Sequence, residues 1–255
     1  MKLDLPGQKN DLHASVLEAN RRFYDAVAGV YEKVDRRRGG ARDHAWLKSI
    51  LRDLRGFFPG KQASFLDLGA GTAFLSKLAL QEFSSVTAVD ISPAVLSQIS
   101  DTRIRKICAP CEKLPVESDS VHVVAAFATL HHLFDPVDAF REAFRILRAG
   151  GLLYTDHDIE KKFVHRFRWP LRWYRYFFDH EHEYLASCPS LTSEDYLLTE
   201  FHGANGLDGE ALAAALTQIG FSEVRVTYHW KGLLPFAPFW QVRGFSPLLR
   251  IVARK

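Results

Sequence analysis

Short apolar runs alternate with amphipathic stretches from about residue 64 to residue 156, and that alternation predicts a parallel sheet covered by helices. The runs are SFLDL (64–68), VTAV (86–89), RIRKIC (103–108), VHVVAAFA (121–128) and GLLYTD (151–156). Between them, residues 74–83, 93–99 and 137–147 carry helical spacing, with Pro93 suited to a first helical turn and Gly150-Gly151 to a stop. Upstream, residues 11–55 predict two or three helices interrupted by the basic run DRRRGGAR (35–42). Downstream, residues 207–219 predict a helix stopped by Gly220, and residues 224–230 and 248–253 predict strands. Residues 157–206 break the repeat and form an insertion after the fifth strand, rich in aromatic and basic side chains.

Composition adds little to this picture. With 255 residues, 47% of them apolar, the chain can bury one substantial core. A formal charge of +3 is too small to require a polyanionic partner. The opening MKLDLPGQKNDLHAS lacks the apolar heart of a secretory signal, and no run reaches the length of a membrane span, so a cytoplasmic protein is expected. Three cysteines, Cys108, Cys111 and Cys188, are read as thiols. Cys108 and Cys111 form a C-x-x-C with no second ligand pair for zinc, and DHEHE (179–183) has undiagnostic ligand spacing, so no metal is expected.

The candidate chemistry lies in FLDLGAGTAFLS. An apolar strand runs directly into Gly69-Ala70-Gly71, and at the two glycines a Cβ would obstruct both the tight turn and the approach of a ligand to bare backbone. A dinucleotide loop needs a third glycine where Phe74 stands. Asp67, two residues before Gly69, would repel a pyrophosphate but attract a cationic amino group. Asp90 closes the second run, where a carboxylate can accept from two ribose hydroxyls; alone, it reads equally well as a helix cap.

D-x-G-x-G-T, the acidic end of the next run, KLPVESDS, LHHLFDP and FRILRAGG together resemble the class I (Rossmann-like) S-adenosylmethionine-dependent methyltransferases, and within them the small-molecule methyltransferase group, over about residues 60–156. HGANGLDGEALAAALTQIGFSEVRV extends the likeness to the last helix and sixth strand. The resemblance implies an α/β fold with a seven-stranded sheet, its last strand antiparallel. It divides the chain into an N-terminal helical lid (1–60), a cofactor-binding core (61–156), an aromatic and basic cap over the substrate (157–206) and a C-terminal part of the core (207–255). It implies S-adenosyl-L-methionine as cofactor, S-adenosyl-L-homocysteine as product and a small, partly apolar acceptor, with no nucleic acid; peripheral membrane contact stays open. Gly69, Ala70 and Gly71 become the methionine-side loop, Asp67 a contact near the amino group, Asp90 the ribose partner, Ile91 the adenine cover and Phe127 a border of the sulfonium. Tyr31, with Tyr24 second, matches a lid tyrosine.

Two positions depart from the family. Pro110 stands where an acidic residue commonly meets the adenine amino group, leaving Cys111 or Glu112 to read the base, and His122 replaces an aspartate in the fourth strand. They motivate an alternative, a protein that binds the cofactor without turnover. The basic aromatic insertion motivates another, an RNA methyltransferase. For proton removal, His131, His132 and His157 are the candidates, with Asp156 or Asp158 able to orient His157. The insertion and the stretch WKGLLPFAPFWQVRGF are expected to wall the acceptor pocket.

Overall fold

A computed structural model describes residues 6–34, 41–60, 62–177, 180–230 and 246–255. Most of the basic run at 35–42, most of the 230–245 stretch and Asp179 of the DHEHE run therefore lie outside the described residues. Seven strands are present: β1 (Ser64–Leu68), β2 (Ser85–Asp90), β3 (Ile104–Cys108), β4 (Val121–Phe127), β5 (Leu147–Ile159), β6 (Ser222–His229) and β7 (Leu248–Arg254). They form one sheet in the order β3-β2-β1-β4-β5-β7-β6. Neighbours from β3 to β5 are parallel, and β7 runs antiparallel to both β5 and β6. This is the expected seven-stranded α/β fold with a reversed last strand.

The helices are α1 (Pro6–Val27), α2 (Tyr31–Val34), α3 (Ala41–Gly56), α4 (Phe74–Ala79), α5 (Pro93–Ser97), α6 (Pro136–Ile146), α7 (Lys161–Arg166), α8 (Arg168–Phe177), α9 (His180–Ser187), α10 (Ser193–Thr199) and α11 (Gly209–Ile219). Period-two alternation splits the strand residues between two apolar layers. Leu66, Leu68, Val124 and Leu153 meet α6 and α11 through Phe140, Ile146, Leu212 and Leu216 on one face. Phe65, Val123, Ala125 and Tyr154 meet α3 and α4 through Leu47, Leu51, Leu75 and Leu78 on the other. Burying each such side chain contributes about 1.5–3 kcal/mol, so helices with a single apolar stripe have only these faces on which to settle.

Helix ends follow their capping chemistry. Ser92 and Asp135 cap α5 and α6 by accepting from Val95 and Val137, each followed by proline in the first turn. Helix α11 starts at Gly209, two residues later than its apolar spacing suggests. Asp208 caps it by accepting from the Ala211 amide, while Leu207 gives its N–H to Ile159. Helix α4 stops at Ala79, short of the predicted Phe83, as the chain turns through 81→78 and 82→79 hydrogen bonds. Among its described residues the insertion carries four helices, α7 to α10, joined by turns.

Candidate functional site

The carboxyl ends of β1, β2 and β4 and one side of α1 enclose a cleft of about 640 Å³, its solvent-open mouth included. Gly69 and Gly71 form its floor with φ of +63° and +55°, a region that favours glycine. A Cβ on Gly69 would stand 2.3 Å from Thr129 Cγ2 and 2.7 Å from its Oγ1. Thr129 is itself held, its hydroxyl reaching the carbonyls of Leu68 and Phe127 at 3.1 Å each. The loop therefore lies directly on the β4 end. Ala70 is buried behind it, donating its N–H to Val89 O, and is not part of the wall.

Asp90 faces the cleft with both oxygens already ordered. Oδ2 accepts from the Gly71 amide and Oδ1 from the Ser92 amide, each at 2.9 Å. Burial pushes its pKa up despite these amides. Ser92 donates its hydroxyl to Asp25 at 2.6 Å, fastening α1 to the turn after β2. The sequence reading sets Asp67 against an amino group; the structure turns its Oδ2 instead to Ser76, which donates its amide at 3.0 Å and hydroxyl at 2.7 Å. Asp67 thus ties β1 to α4 and is not on the cleft wall.

Ile91, Pro110, Cys111 and Glu112 line the opposite end. Burial pushes the Cys111 thiol well up and also raises Glu112. Glu112 Oε2 is buried with no hydrogen-bond partner, an unused acceptor in the wall. Cys108 is exposed at the end of β3, and all three cysteines are thiols.

Helices α1 and α2 border the cleft. Tyr24 and Tyr31 both line the cleft, edge to face at 5.8 Å, and Asn20 donates its amide to the carbonyls of Val16 and His132. His132 reaches the same wall from the short 3-10 turn Leu130–His132. Its Nδ1 lies 2.8 Å from the Thr199 carbonyl and its Nε2 2.8 Å from the Tyr24 hydroxyl. Since a carbonyl only accepts, Nδ1 carries the proton and Nε2 accepts from the phenol.

The other two histidines lie elsewhere. His131 turns away, giving Nδ1 and its backbone amide to Asp158 at 2.7 and 3.0 Å. His157 has φ +70°, is held by Asp156 at 3.0 Å and lies 4.2 Å from Phe127, ring centre to ring centre. Neither His157 nor Phe127 is on the cleft wall, where Ala128 and Thr129 stand instead. Asp156 rather than Asp158 orients His157, and it is fully buried. It also accepts from His229 Nε2 at 2.7 Å, Tyr154 OH at 2.6 Å and Arg250 Nε at 2.7 Å. Burial alone would raise this carboxyl, but the hydrogen bonds and charges gathered on it hold it well below the usual carboxylate range. Trp46 of α3 covers the group, 5.5 Å from each histidine ring and 5.0 Å from the Arg250 guanidinium.

Asp156, His157 and His229, and separately His131, His132 and Glu200, bring metal-ligand atoms within 4.8 Å of one another. Arg250 already supplies the cation of the first group, and both histidines of the second hold the partners named above. His122 takes the structural place of the missing aspartate, its Nδ1 and amide meeting Ser64 at 2.9 and 3.1 Å. Among its described residues, the insertion meets cleft-lining residues through the Thr199 carbonyl on His132 and through Phe201 and His202 on Phe134. Residues 161–177 supply none of the wall, so the expected aromatic pocket is absent from that segment. Asn20, Asp25 and Thr129 were not readable from sequence, because each acts on a partner 61 to 112 residues away.

A family model described as a methyltransferase domain matches residues 66–155. The chain is 29% identical over 131 residues to a demethylmenaquinone methyltransferase of Mycolicibacterium paratuberculosis, covering 51% of this chain and 56% of that one. It is 24% identical over 139 residues to the enzyme of that name from Chlamydia muridarum, covering 52% and 58%. It thus spans little more than half the length of these curated relatives. Among solved structures, a plantazolicin methyltransferase in complex with S-adenosylhomocysteine aligns over 98% of both chains with a TM-score of 0.62 at 13% identity. A methyltransferase from Thermotoga maritima, described as a possible histamine N-methyltransferase, aligns over 91% of this chain and 99% of its own with a TM-score of 0.56 at 16% identity. Matched core, strand order and glycine loop agree: residues 66–155 are similar to a methyltransferase domain, set in a seven-stranded sheet whose fold is that of the solved methyltransferases.

Proposed function

We propose that this chain transfers the methyl group of S-adenosylmethionine to a small, partly apolar acceptor held in the cleft beneath α1. The observation that carries the reading is that one cleft holds both a nucleoside-type cradle and a hydrogen-bonded Tyr24–His132 pair. The lining fits the cofactor. Asp90 keeps lone pairs for two ribose hydroxyls beyond those used by Gly71 and Ser92, and the unpartnered Glu112 Oε2 suits an amino group on the base. Gly69 and Gly71 bare the backbone where the methionine portion would lie.

When bound, the cofactor supplies an electrophilic methyl group on a sulfonium. The chain's own part is to align the acceptor, exclude water and take its proton. Thr199 fixes the tautomer of His132, so that its basic Nε2 points along the Tyr24 hydroxyl. A proton leaving the acceptor passes to the Tyr24 oxygen as the phenol proton moves onto Nε2. Asn20 and the Asp25–Ser92 bond keep α1 closed over this pair.

S-adenosylhomocysteine formation across a panel of small phenolic, carboxylate and amine acceptors tests the reading. With the accepted substrate, Tyr24→Phe and His132→Asn should each reduce kcat by about 10² to 10⁴, as expected for loss of a positioned acid–base group. Cofactor affinity measured by calorimetry should stay near that of the parent. Full turnover in both variants would remove the proton relay, and no turnover with any acceptor despite tight cofactor binding would favour the alternative of binding without transfer.

A further inference from the structure

We propose that α8 is an interfacial helix that seats this protein on an anionic lipid bilayer. Residues 161–177 contain six lysines and arginines and no acidic residue. Trp169, Trp173 and Phe177 recur every four residues along one stripe of α8, and they are 58%, 63% and 71% exposed. Tyr176, beside them, is 76% exposed. No residue of α8 is buried, which is the opposite of what a pocket wall or a core helix requires. A contiguous aromatic stripe of this kind marks an interaction surface rather than a solvated one.

The polar side of the helix fixes which way the stripe points. Arg175 donates to the carbonyls of Gly203 at 3.0 Å and Ala204 at 3.4 Å, holding α8 against the loop after α10. Leu171 and Phe167 lie on the half-covered side, and the Trp169–Trp173–Phe177 stripe is left facing outward. Arg168 and Arg172 flank that stripe, their guanidinium groups 5.6 and 5.9 Å from the Trp169 ring. Lys161 and Lys162 are paired with Asp208 and Glu210, so the two flanking arginines carry the charge displayed with the aromatics. In sequence the run 161–177 is flanked by Glu160, which caps α7, and by Asp179, with Glu181 and Glu183 following in the separate helix α9.

Charge complementarity selects the occupant. Tryptophan and tyrosine prefer the headgroup level of a bilayer, and arginines beside them pair with anionic lipid phosphates. The loop that anchors Arg175 continues from Glu200 and His202, whose backbone N–H donates to His131 O at 2.8 Å in the turn that carries His132. Docking through α8 would therefore set the cleft beside the membrane surface, within reach of an acceptor that partitions into lipid. The inference concerns attachment alone and does not depend on the methyl-transfer reading.

The test is co-sedimentation of the full chain with vesicles of phosphatidylcholine or of phosphatidylglycerol, at low and high salt. Binding is expected to the anionic vesicles only, weakening with salt. Arg168→Gln with Arg172→Gln should lower the partition coefficient by about 30-fold, from the usual contribution of each basic residue near such a surface. Trp169→Ala with Trp173→Ala should also release the protein. Both sites are exposed, so an unchanged melting temperature checks that each variant is folded. Brominated lipid should quench tryptophan emission in the parent and not in Trp169→Phe with Trp173→Phe. Binding unaffected by either pair of substitutions, equal binding to both vesicle types, or no binding at all would overturn the proposal. Dimerisation that disappears in the tryptophan variant, or salt-sensitive RNA binding without vesicle binding, would assign the stripe to a second copy or to RNA and overturn it equally.

Discussion

Replacing Gly69 by alanine tests how tightly the cofactor loop rests on the end of β4. The new methyl would sit 2.3 Å from Thr129 Cγ2 and 2.7 Å from Oγ1, inside any normal contact, and the backbone at φ +63° disfavours a Cβ as well. The left-handed conformation costs about 1 to 2 kcal/mol for a residue with a side chain. Overpacking adds about 1 to 3 kcal/mol, because Thr129 can swing away only by breaking its bonds to Leu68 and Phe127. Gly69→Ala should therefore lower stability by about 2 to 5 kcal/mol in urea denaturation, with the midpoint falling at constant m. Thr129→Ala alone should cost about 1 kcal/mol for its two hydrogen bonds. Combined, the clash with Cγ2 and Oγ1 disappears while the conformational cost and a tight contact with the remaining Cβ at 3.1 Å persist. The double variant should recover about 1 to 2 kcal/mol relative to the sum of the singles. Strict additivity, or a Gly69→Ala protein as stable as the parent, would refute the steric account of the loop.

Two further outcomes follow from the carboxylates. Asp90→Ala should weaken S-adenosylmethionine binding by about 1 to 3 kcal/mol in calorimetry, the range for hydroxyls left without a charged acceptor. Because burial raises Asp90 above 3.8, its contribution to folding is greatest below that value and declines as pH rises through the folded pKa, whereas its capacity to accept from ribose grows over the same rise. Cofactor affinity should accordingly fall on acidification through a pKa above 3.8, and a pH-independent affinity would contradict the ribose assignment. Asp156→Asn should destabilise the fold by about 3 to 5 kcal/mol, since it strands the Arg250 charge in a half-buried site. With its folded pKa below 3.8, Asp156 contributes stability above that value and loses it as pH falls further, so the variant should show a shallower acid limb in thermal melts.

Much of the fold could be read along the chain because local periodicity and sheet topology speak the same language. Leu66, Leu68 and Val124 fall to one face and Phe65, Val123 and Ala125 to the other, as period two requires. The glycine loop was legible for the same local reason, since strand, turn and helix adjoin within ten residues. Side-chain direction was not. His157 lies near the carboxyl end of β5, yet its φ of +70° and its hydrogen bond to Asp156 turn it toward Phe127 and Trp46. Asp67 reads as a ligand contact until Ser76, nine residues on, is seen to hold it. Tyr24 and His132 are 108 residues apart, and nothing in either segment announces the other. The insertion's aromatic content suggested burial; its helical phasing, with Arg175 tied down on one side, puts the largest rings outside.

The order β5-β7-β6 has a consequence for assembly. The sixth strand leaves α11 before the seventh exists in the chain, yet among the described residues its neighbour in the sheet is that seventh strand. Until residues 248–254 arrive, β5 and β6 each present an open row of backbone donors and acceptors, and the carboxylate of Asp156 lacks Arg250. Trp46 of α3 rests on the same arginine, so that contact too waits on the strand. The last strand is thus a wedge whose entry closes the sheet and neutralises its most buried charge in one long-range step, the kind of contact that slows folding and leaves sticky edges exposed while it is pending.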